Sequence, residues 1–239
     1  MLLKACLNGS RRPGDHPALP VTPEDVAADA AEAVTAGAGA LHVHPKDPTG
    51  ADTLDAAAVA AVLTAVRSRV PGIPVGVTTG AWAVPDPAAR AAAVESWPVL
   101  PDFASVNWHE PGAAAVAAAL LDRGVGVEVG LWHVGAVAAW RAWPDRERCV
   151  RVLVEVVDDR EPAEAVAAAA RLLGVLGEPS VPVLLHGEGT SAWPVLREAV
   201  RRGLDTRVGL EDVLVLPDGR PASGNAALVR AALGLIRGC

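Results

Sequence analysis

Short runs of β-branched and other apolar residues alternate along the chain with longer, alanine-rich stretches. The short runs predict eight strands, at residues 2–7, 41–44, 74–79, 103–107, 126–131, 150–157, 182–185 and 206–210. The alanine-rich stretches predict eight helices, at residues 22–36, 55–69, 87–97, 111–123, 134–141, 162–176, 192–202 and 224–236. Because strands that are apolar throughout are buried on both faces, this order indicates a parallel sheet covered by helices.

The number of strand–helix units favours one fold class. Eight units close a (β/α)8 (TIM) barrel, and the 239 residues of the chain are close to the usual barrel length of about 250 residues. We therefore predict an α/β protein with a single (β/α)8 barrel domain over residues 1–239. A doubly wound open sheet is the alternative, although no glycine-rich nucleotide-binding motif follows the first predicted strand.

Composition limits the cellular compartments and the binding partners that we expect for this chain. The formal net charge is −7 with both signs mixed along the chain, whereas nucleic acid binding needs a concentrated basic face. The three cysteines, Cys6, Cys149 and Cys239, are far apart and odd in number, so we expect no disulfide framework and a reducing cytoplasm. The first residues turn polar too early for a signal peptide, and no uncharged apolar stretch reaches about 18 residues. We expect a soluble cytoplasmic protein that binds neither nucleic acid nor membrane.

Polar side chains occur near the carboxyl end of almost every predicted strand, which is where a barrel places its chemistry. They are Asn8, His42, His44, Thr78, Thr79, Ser105, Asn107, Glu128, Asp158, Asp159, His186, Glu188, Glu211 and Asp212. Packing alone does not explain this repeated placement. We therefore predict a functional pocket at this end of the barrel.

His42 and His44 are the most informative pair of polar residues. Residues i and i+2 of a strand point to the same face, so both imidazoles should point inward. Two neutral imidazoles side by side form half of a zinc-type site. A structural histidine with a hydrogen-bond partner is the alternative, but two histidines at a strand end favour a divalent metal.

The eighth predicted strand offers a third ligand and a base. Glu211 ends this strand, which neighbours strands one and two across the barrel closure, and is therefore the best candidate for the third metal ligand. Asp212 could act as a base, and Arg207 could orient Asp212 or bind an anionic substrate. The alternatives are a helix-capping role for the two acids and an ordinary surface position for Arg207.

Glu128 is a lone carboxylate within an apolar strand. Since an unpaired buried charge is strongly unfavourable, this residue must face a polar cavity or form a buried ion pair. We predict that it contacts substrate. Thr78, Ser105 and Asn107 are weaker substrate-binding candidates, because hydroxyl and amide groups often only satisfy the backbone.

These segments together resemble the β-keto acid cleavage enzymes, the family of the 3-keto-5-aminohexanoate cleavage protein. The specific pieces are residues 42–44 (His-Val-His) and 207–212 (Arg-Val-Gly-Leu-Glu-Asp), supported by residues 20–25, 47–50, 78–80, 105–107 and 223–229. The resemblance implies a (β/α)8 barrel in which His42, His44 and Glu211 hold zinc or a similar divalent metal. It also implies a reaction in which a β-keto acid and acetyl-CoA give acetoacetate and a new acyl-CoA.

The resemblance further implies roles for the remaining candidates. Asp212, oriented by Arg207, would remove the proton that starts the carbon–carbon chemistry. The positions expected to contact substrate are Thr78, Ser105, Asn107 and Glu128. Assembly in the family implies a homo-oligomer, with a tetramer as one possibility.

The chain departs from the family in two places. Residues 8–12 read Asn-Gly-Ser-Arg-Arg, without the acidic residue that meets an amino substrate in relatives. The second of two common glutamates in strand five is replaced by Gly130. We therefore expect Ser10, Arg11 and Glu128 to determine the substrate tail, and we expect an uncharged or anionic tail rather than an aminated one.

Two other functions stay open for the same barrel. A metal-dependent aldolase or amidohydrolase-like hydrolase can also begin with two histidines on an early strand. An amidohydrolase site typically needs further histidines after strands five and six; His133 and His186 are available, but strand six ends in Asp158 and Asp159. A non-catalytic binding barrel is the second alternative, and the intact set of three ligands argues against it.

Overall fold

The computed structural model describes residues 1–238, in which strands and helices alternate as predicted. The strands are β1 (Leu3–Cys6), β2 (Ala40–Val43), β3 (Val75–Thr78), β4 (Phe103–Asn107), β5 (Gly126–Leu131), β6 (Arg151–Val156), β7 (Val183–Gly187) and β8 (Thr206–Val208). The helices are α1 (Pro23–Ala36), α2 (Ala56–Arg69), α3 (Pro87–Ser96), α4 (Ala113–Asp122), α5 (Val134–Arg141), α6 (Pro162–Leu176), α7 (Ala192–Arg202) and α8 (Asn225–Arg237). Short 3-10 turns lie at Arg146–Arg148 and Gly189–Ser191.

The eight strands form one parallel sheet that closes almost completely on itself. The strand order is β7-β6-β5-β4-β3-β2-β1-β8, and β1 pairs with both β2 and β8. Between β7 and β8 the junction is shorter: the Leu185 amide donates to the Asp205 carbonyl at 2.9 Å, and Thr206 Oγ1 donates to the Leu185 carbonyl at 2.9 Å. The fold is therefore the predicted (β/α)8 barrel and not an open sheet.

Local signals in the sequence set the ends of the first helix. Thr22 Oγ1 accepts a hydrogen bond from the Asp25 amide, and the Asp25 carboxylate accepts one from the Thr22 amide, each at 3.2 Å. This capping box satisfies two amides that have no partner within the helix. Gly37, with φ of 114°, ends the helix in the left-handed region that glycine adopts most readily.

The cysteines and the helix lengths were both considered in the sequence analysis. Cys6 and Cys149 are buried free thiols, and Cys239 lies outside the described residues. Within residues 1–238, no helix combines the length and the apolar composition that crossing a membrane requires.

A group of buried charges, called here the floor cluster, lies towards the amino ends of the strands. It consists of Lys4, Glu128, Arg151 and Asp205. Lys4 donates to Glu128, and both side chains are fully buried. Arg151 Nε lies 3.1 Å from Glu128 Oε1, and Arg151 Nη1 lies 3.5 Å from Asp205 Oδ2. The expectation that Glu128 contacts substrate is thus corrected, because its carboxylate is enclosed between two cations as a buried ion-pair partner.

Candidate active site

A pocket of about 170 Å³ lies among the carboxyl ends of the strands. Its lining consists of Ser10, His42, His44, Thr78, Trp82, Ser105, Asn107, Trp132, Leu153, Glu155, Glu188, Arg207 and Glu211. This is the end of the barrel that carries function in (β/α)8 enzymes.

The fold brings most of the predicted site residues to this pocket, and three of them lie elsewhere. Glu128 belongs to the floor cluster. Arg11 donates through Nε to the Leu210 carbonyl and supports the loop after β8. Asp212 is 1% exposed and contacts Arg207, which itself lines the pocket.

His42, His44 and Glu211 form a candidate metal centre. Glu211 Oε2 lies 3.9 Å from His42 Nε2 and 3.7 Å from His44 Nε2. Both distances are too long for hydrogen bonds, and Glu211 Oε2 is a buried oxygen without a hydrogen-bond partner among the described residues. Ligands about 2.0–2.2 Å from a tetrahedral ion lie roughly 3.5 Å apart, and two imidazoles with one carboxylate are a known zinc ligand set. The three residues therefore fit a divalent ion.

The electrostatics of the centre keep the first ligand neutral. Burial, together with the neighbouring His44, Lys4 and Arg207, lowers the pKa of His42 well below its usual value. A neutral imidazole is the form that coordinates metals. His42 is thereby prepared to act as a ligand at neutral pH.

Asp52 belongs to the site and was not found from the sequence. Its Oδ2 lies 2.7 Å from His44 Nδ1 and accepts a 2.6 Å hydrogen bond from Trp82 Nε1, while Lys46 pairs with its other oxygen. Burial raises the pKa of Asp52, but the hydrogen bonds from His44 and Lys46 outweigh burial and lower it below its usual value. The Asp-Pro-Thr-Gly segment at residues 47–50 was the available signal, because it predicts a turn that reverses the chain.

Arg207 contacts two adjacent carboxylates whose pKa values are shifted in opposite directions. Its Nη2 donates to Glu211 Oε1 at 3.0 Å and to Asp212 Oδ1 at 2.7 Å. Burial raises the pKa of Asp212 in spite of Arg207, whereas in Glu211 the cation Arg207 and the neighbouring His44 outweigh burial and lower the pKa. Environments that separate the pKa values of two acids assign them different roles. Glu211 suits an ionised ligand, and Asp212, whose Oδ2 is buried without a hydrogen-bond partner, suits a base.

A second cluster of possible ligands lies beside the first and consists of Glu155, His186 and Glu188. His186 Nε2 lies 2.9 Å from Glu155 Oε2, and Arg207 Nε donates to His186 Nδ1 at 3.2 Å. Both ring nitrogens of His186 are therefore engaged, and a metal here would face the guanidinium of Arg207. We conclude that Glu155 and His186 orient Arg207 rather than bind a metal.

Glu155 was also missed from the sequence, and it occupies the space beside Gly130. A Cβ atom at Gly130 would lie 2.6 Å from Glu155 Oε1 and 2.6 Å from Asn107 Oδ1. The signal for Glu155 was the one noticed for Glu128, a lone acid in an apolar strand. The absence of a side chain at Gly130 leaves room for an acid from the neighbouring strand.

Comparisons with known proteins identify the family of the chain. The sequence pattern of the β-keto acid cleavage enzyme family matches residues 1–239. The 3-keto-5-aminohexanoate cleavage enzyme of Fusobacterium nucleatum subsp. nucleatum is 23% identical over 252 residues, which cover 99% of this chain and 91% of that protein.

Solved structures share the barrel. ObcA in complex with oxaloacetate superposes with a TM-score of 0.74 at 20% identity over 93% of this chain, which spans 64% of the ObcA chain. ObcA with a C4-CoA adduct and oxalate gives the same values. The 3-dehydroquinate dehydratase of Enterococcus faecalis superposes with a TM-score of 0.66 at 12% identity, over 99% of this chain and 94% of that one. At these identities the structural likenesses show the fold alone.

Proposed function

Because the chain belongs to the β-keto acid cleavage enzyme family, we propose that it condenses a β-keto acid with acetyl-CoA and releases acetoacetate and a new acyl-CoA. The observation that carries the proposal is the unpartnered Glu211 Oε2 facing His42 and His44, next to the pair of Arg207 and Asp212. ObcA has been solved with oxaloacetate and with a C4-CoA adduct. Those ligands support a keto acid and a coenzyme A thioester as the substrate classes here.

The proposal assigns zinc, or a similar divalent ion, to His42, His44 and Glu211. When bound, the ion would supply Lewis acidity to the keto and carboxylate oxygens of the substrate. The neutral state of His42 and the ionised state of Glu211 both suit this role.

Asp212 is the proposed general base. Its unpartnered Oδ2 accepts the proton from the carbon beside the keto group, and its raised pKa increases its proton affinity. Arg207 holds the other oxygen, so the carboxylate keeps its orientation during the transfer. The substrate carbanion then attacks the thioester carbonyl of acetyl-CoA, and coenzyme A moves to the former keto carbon within the adduct. The bond between that carbon and the deprotonated carbon breaks, which releases the new acyl-CoA and an acetoacetate carbanion that takes the proton back from Asp212.

Thr78, Ser105 and Asn107 form the polar wall that would bind the substrate oxygens. All three line the pocket. The Asn107 amide is oriented by a 2.9 Å hydrogen bond to Glu110 Oε1, and Thr78 Oγ1 accepts from the Gly80 amide at 3.1 Å. The bond to the Gly80 amide leaves the Thr78 hydroxyl proton free to donate to a substrate oxygen.

The hydrolase alternative lacks support from the histidines it would need. His133 caps α5 by accepting from the Ala136 amide at 3.2 Å, and it does not line the pocket. His186 is engaged by Glu155 and Arg207. Neither histidine belongs to the group that His42, His44 and Glu211 form.

A panel of β-keto acids, assayed with and without acetyl-CoA, tests the proposal. We expect acyl-CoA and acetoacetate to form only when acetyl-CoA is present, and we expect purified protein to bind about one zinc ion per chain. The double variant His42→Ala/His44→Ala should lose both the metal and the turnover. His16→Ala, which removes an imidazole outside the pocket, is the matched control and should keep both. Turnover with water alone would favour the hydrolase, and wild-type metal content in the double variant would contradict the metal centre.

A further inference from the structure

One buried carboxylate at the mouth of the pocket contacts three donors. Asp52 Oδ2 meets His44 Nδ1 and Trp82 Nε1, at 2.7 and 2.6 Å, and Asp52 Oδ1 pairs with Lys46. The side chain of Asp52 is 4% exposed and that of Lys46 is 1% exposed. Since every strong contact of this carboxylate is satisfied and its charge is balanced, its position is fixed.

A hairpin at residues 46–52 places this carboxylate next to the histidine. Gly50 reverses the chain with φ of 81°, a conformation that side-chain-bearing residues rarely adopt. Lys46 and Asp52 then face each other as an antiparallel bridge. Asp52 therefore returns to His44, which it follows by eight positions in the sequence.

The contact determines which nitrogen of His44 faces Glu211. An ionised carboxylate can only accept hydrogen bonds, so the contact with Nδ1 requires the ring proton to be on Nδ1. The lone pair is then on Nε2, which lies 3.7 Å from Glu211 Oε2. Outer carboxylates of this kind orient metal-binding histidines and increase their basicity.

The other histidine has no such support. His42 Nδ1 is buried without a hydrogen-bond partner among the described residues. The two ligands are therefore held unequally, and any effect of Asp52 on the metal should pass through His44 alone.

Trp82 covers the same contact from the solvent side. Its ring lies parallel to that of His44, with an interplanar angle of 14° and a centroid distance of 6.0 Å. The residue is 46% exposed, so one face lies over the histidine while the other meets solvent. Its indole N–H donates to the same oxygen of Asp52 that contacts His44.

We propose that Asp52 is a positioning residue for the metal centre, fixing His44 as an Nε2 ligand, and that Trp82 strengthens this function by holding Asp52 and shielding it from water. This inference rests on the proposed metal centre. Asp52 is not one of the three proposed ligands, and the sequence around it predicts only a surface turn.

Zinc affinity measured by competition with a chromogenic chelator tests the proposal without any assay of turnover. Asp52→Asn keeps the shape of the side chain and removes its charge, and we expect zinc to bind about 10–100-fold more weakly. Trp82→Phe keeps an aromatic ring but removes the N–H donor together with part of the indole, and the bonds of Asp52 to His44 and Lys46 remain, so we expect a smaller loss. The matched control is Asp122→Asn, which removes one carboxylate from the exposed end of α4 and should leave the affinity unchanged.

A second background separates positioning from general damage. In a His44→Ala protein, Asp52→Asn should weaken zinc binding no further, because the residue it orients is gone. Thermal unfolding of the metal-free variants checks that they fold. Wild-type zinc affinity in Asp52→Asn, or an equal loss in the His44→Ala background, would overturn the proposal.

Failure of the reaction and failure of this inference can be told apart. Zinc binding that depends on Asp52, in a protein without acetyl-CoA-dependent turnover, would support the positioning role and contradict the proposed reaction. Absence of zinc binding by the wild-type protein would overturn the metal centre and the positioning role together.

Discussion

Two groups of buried charges lie at opposite ends of the barrel, and they differ in the balance between cations and carboxylates. In the floor cluster each carboxylate faces a cation: Glu128 meets Lys4 and Arg151, and Asp205 meets Arg151. At the pocket end Arg207 faces three carboxylates. These are Glu188, Glu211 and Asp212.

The difference fits a structural role for the floor cluster and the proposed catalytic role for the charges at the pocket. A buried polar atom that lacks a partner costs about 1–3 kcal/mol, and at the pocket end Glu211 Oε2 and Asp212 Oδ2 have no hydrogen-bond partner among the described residues. In the floor cluster Glu128 Oε1 also lacks a hydrogen bond, but it lies 3.1 Å from Arg151 Nε, so its charge is paired. The pocket has acceptors in excess, which is the arrangement expected where a cation and a proton are to be bound. Three predictions, each with its own variants, test this contrast.

The largest effect should come from removing the free acceptor of Asp212. In Asp212→Asn the contact with Arg207 can persist, but the amide cannot take a proton from substrate. We expect kcat to fall by about 10²–10⁴ while the bound metal is retained. Steady-state kinetics and metal analysis of the same preparation measure both. A wild-type kcat would remove Asp212 as the base.

The next effect should appear in stability and not in catalysis. Glu128→Ala leaves Lys4 buried without its carboxylate, so we expect the free energy of unfolding to fall by about 3–5 kcal/mol. Urea unfolding measures this loss, and kcat per folded molecule should be unchanged.

A double variant provides the control for the floor cluster. Replacing both partners, Lys4→Met with Glu128→Leu, should recover most of the stability, because the unpaired charge is gone. Full stability of Glu128→Ala together with lost turnover would contradict the structural role of the floor cluster. Glu128 would then again be a candidate for contact with substrate.

The smallest effect concerns the pH dependence of stability at the pocket. Burial, only partly offset by Arg207, raises the pKa of Glu188 to about 8. The folded, metal-free protein therefore keeps a proton that the unfolded chain releases above about pH 4.3. The free energy of unfolding should decline as pH rises from about 4.3 to about 8 and then level off. Glu188→Gln should reduce this decline, as measured by urea midpoints across the range, whereas the exposed Glu178→Gln should not. Equal slopes in the two variants would contradict the assignment.

The barrel was predictable because its signals are local. Each strand is a compact apolar run and each helix a longer alanine-rich one, so the alternation is visible without tertiary information. The predicted bounds of β4, β5, α5, α6 and α7 match the structure. Only the third residue of the candidate metal centre required an argument about distant segments, and barrel closure between β1 and β8 made that argument possible.

The sequence-based predictions failed for acids whose role depends on their position along a barrel strand. Glu128 and Glu155 have the same local pattern, yet one is the third residue of β5 and the other the fifth residue of β6. An acid nearer the carboxyl end of its strand reaches the pocket, and one nearer the amino end meets Lys4. Asp52 was not predicted for another reason: it reaches His44 only because the hairpin at residues 46–52 folds back.

The short junction between β7 and β8 links folding to activity. Local opening is easiest where few backbone hydrogen bonds cross, and here the side-chain bond from Arg207 of β8 to His186 of β7 reinforces the boundary. If β8 separated from both β7 and β1, Glu211 and Asp212 would leave with Arg207, and the proposed metal ligands and the proposed base would be lost together. A nascent chain would therefore lack the proposed site until its last strand docks. Amide exchange at the two junctions of β8 would measure how often the folded protein opens there.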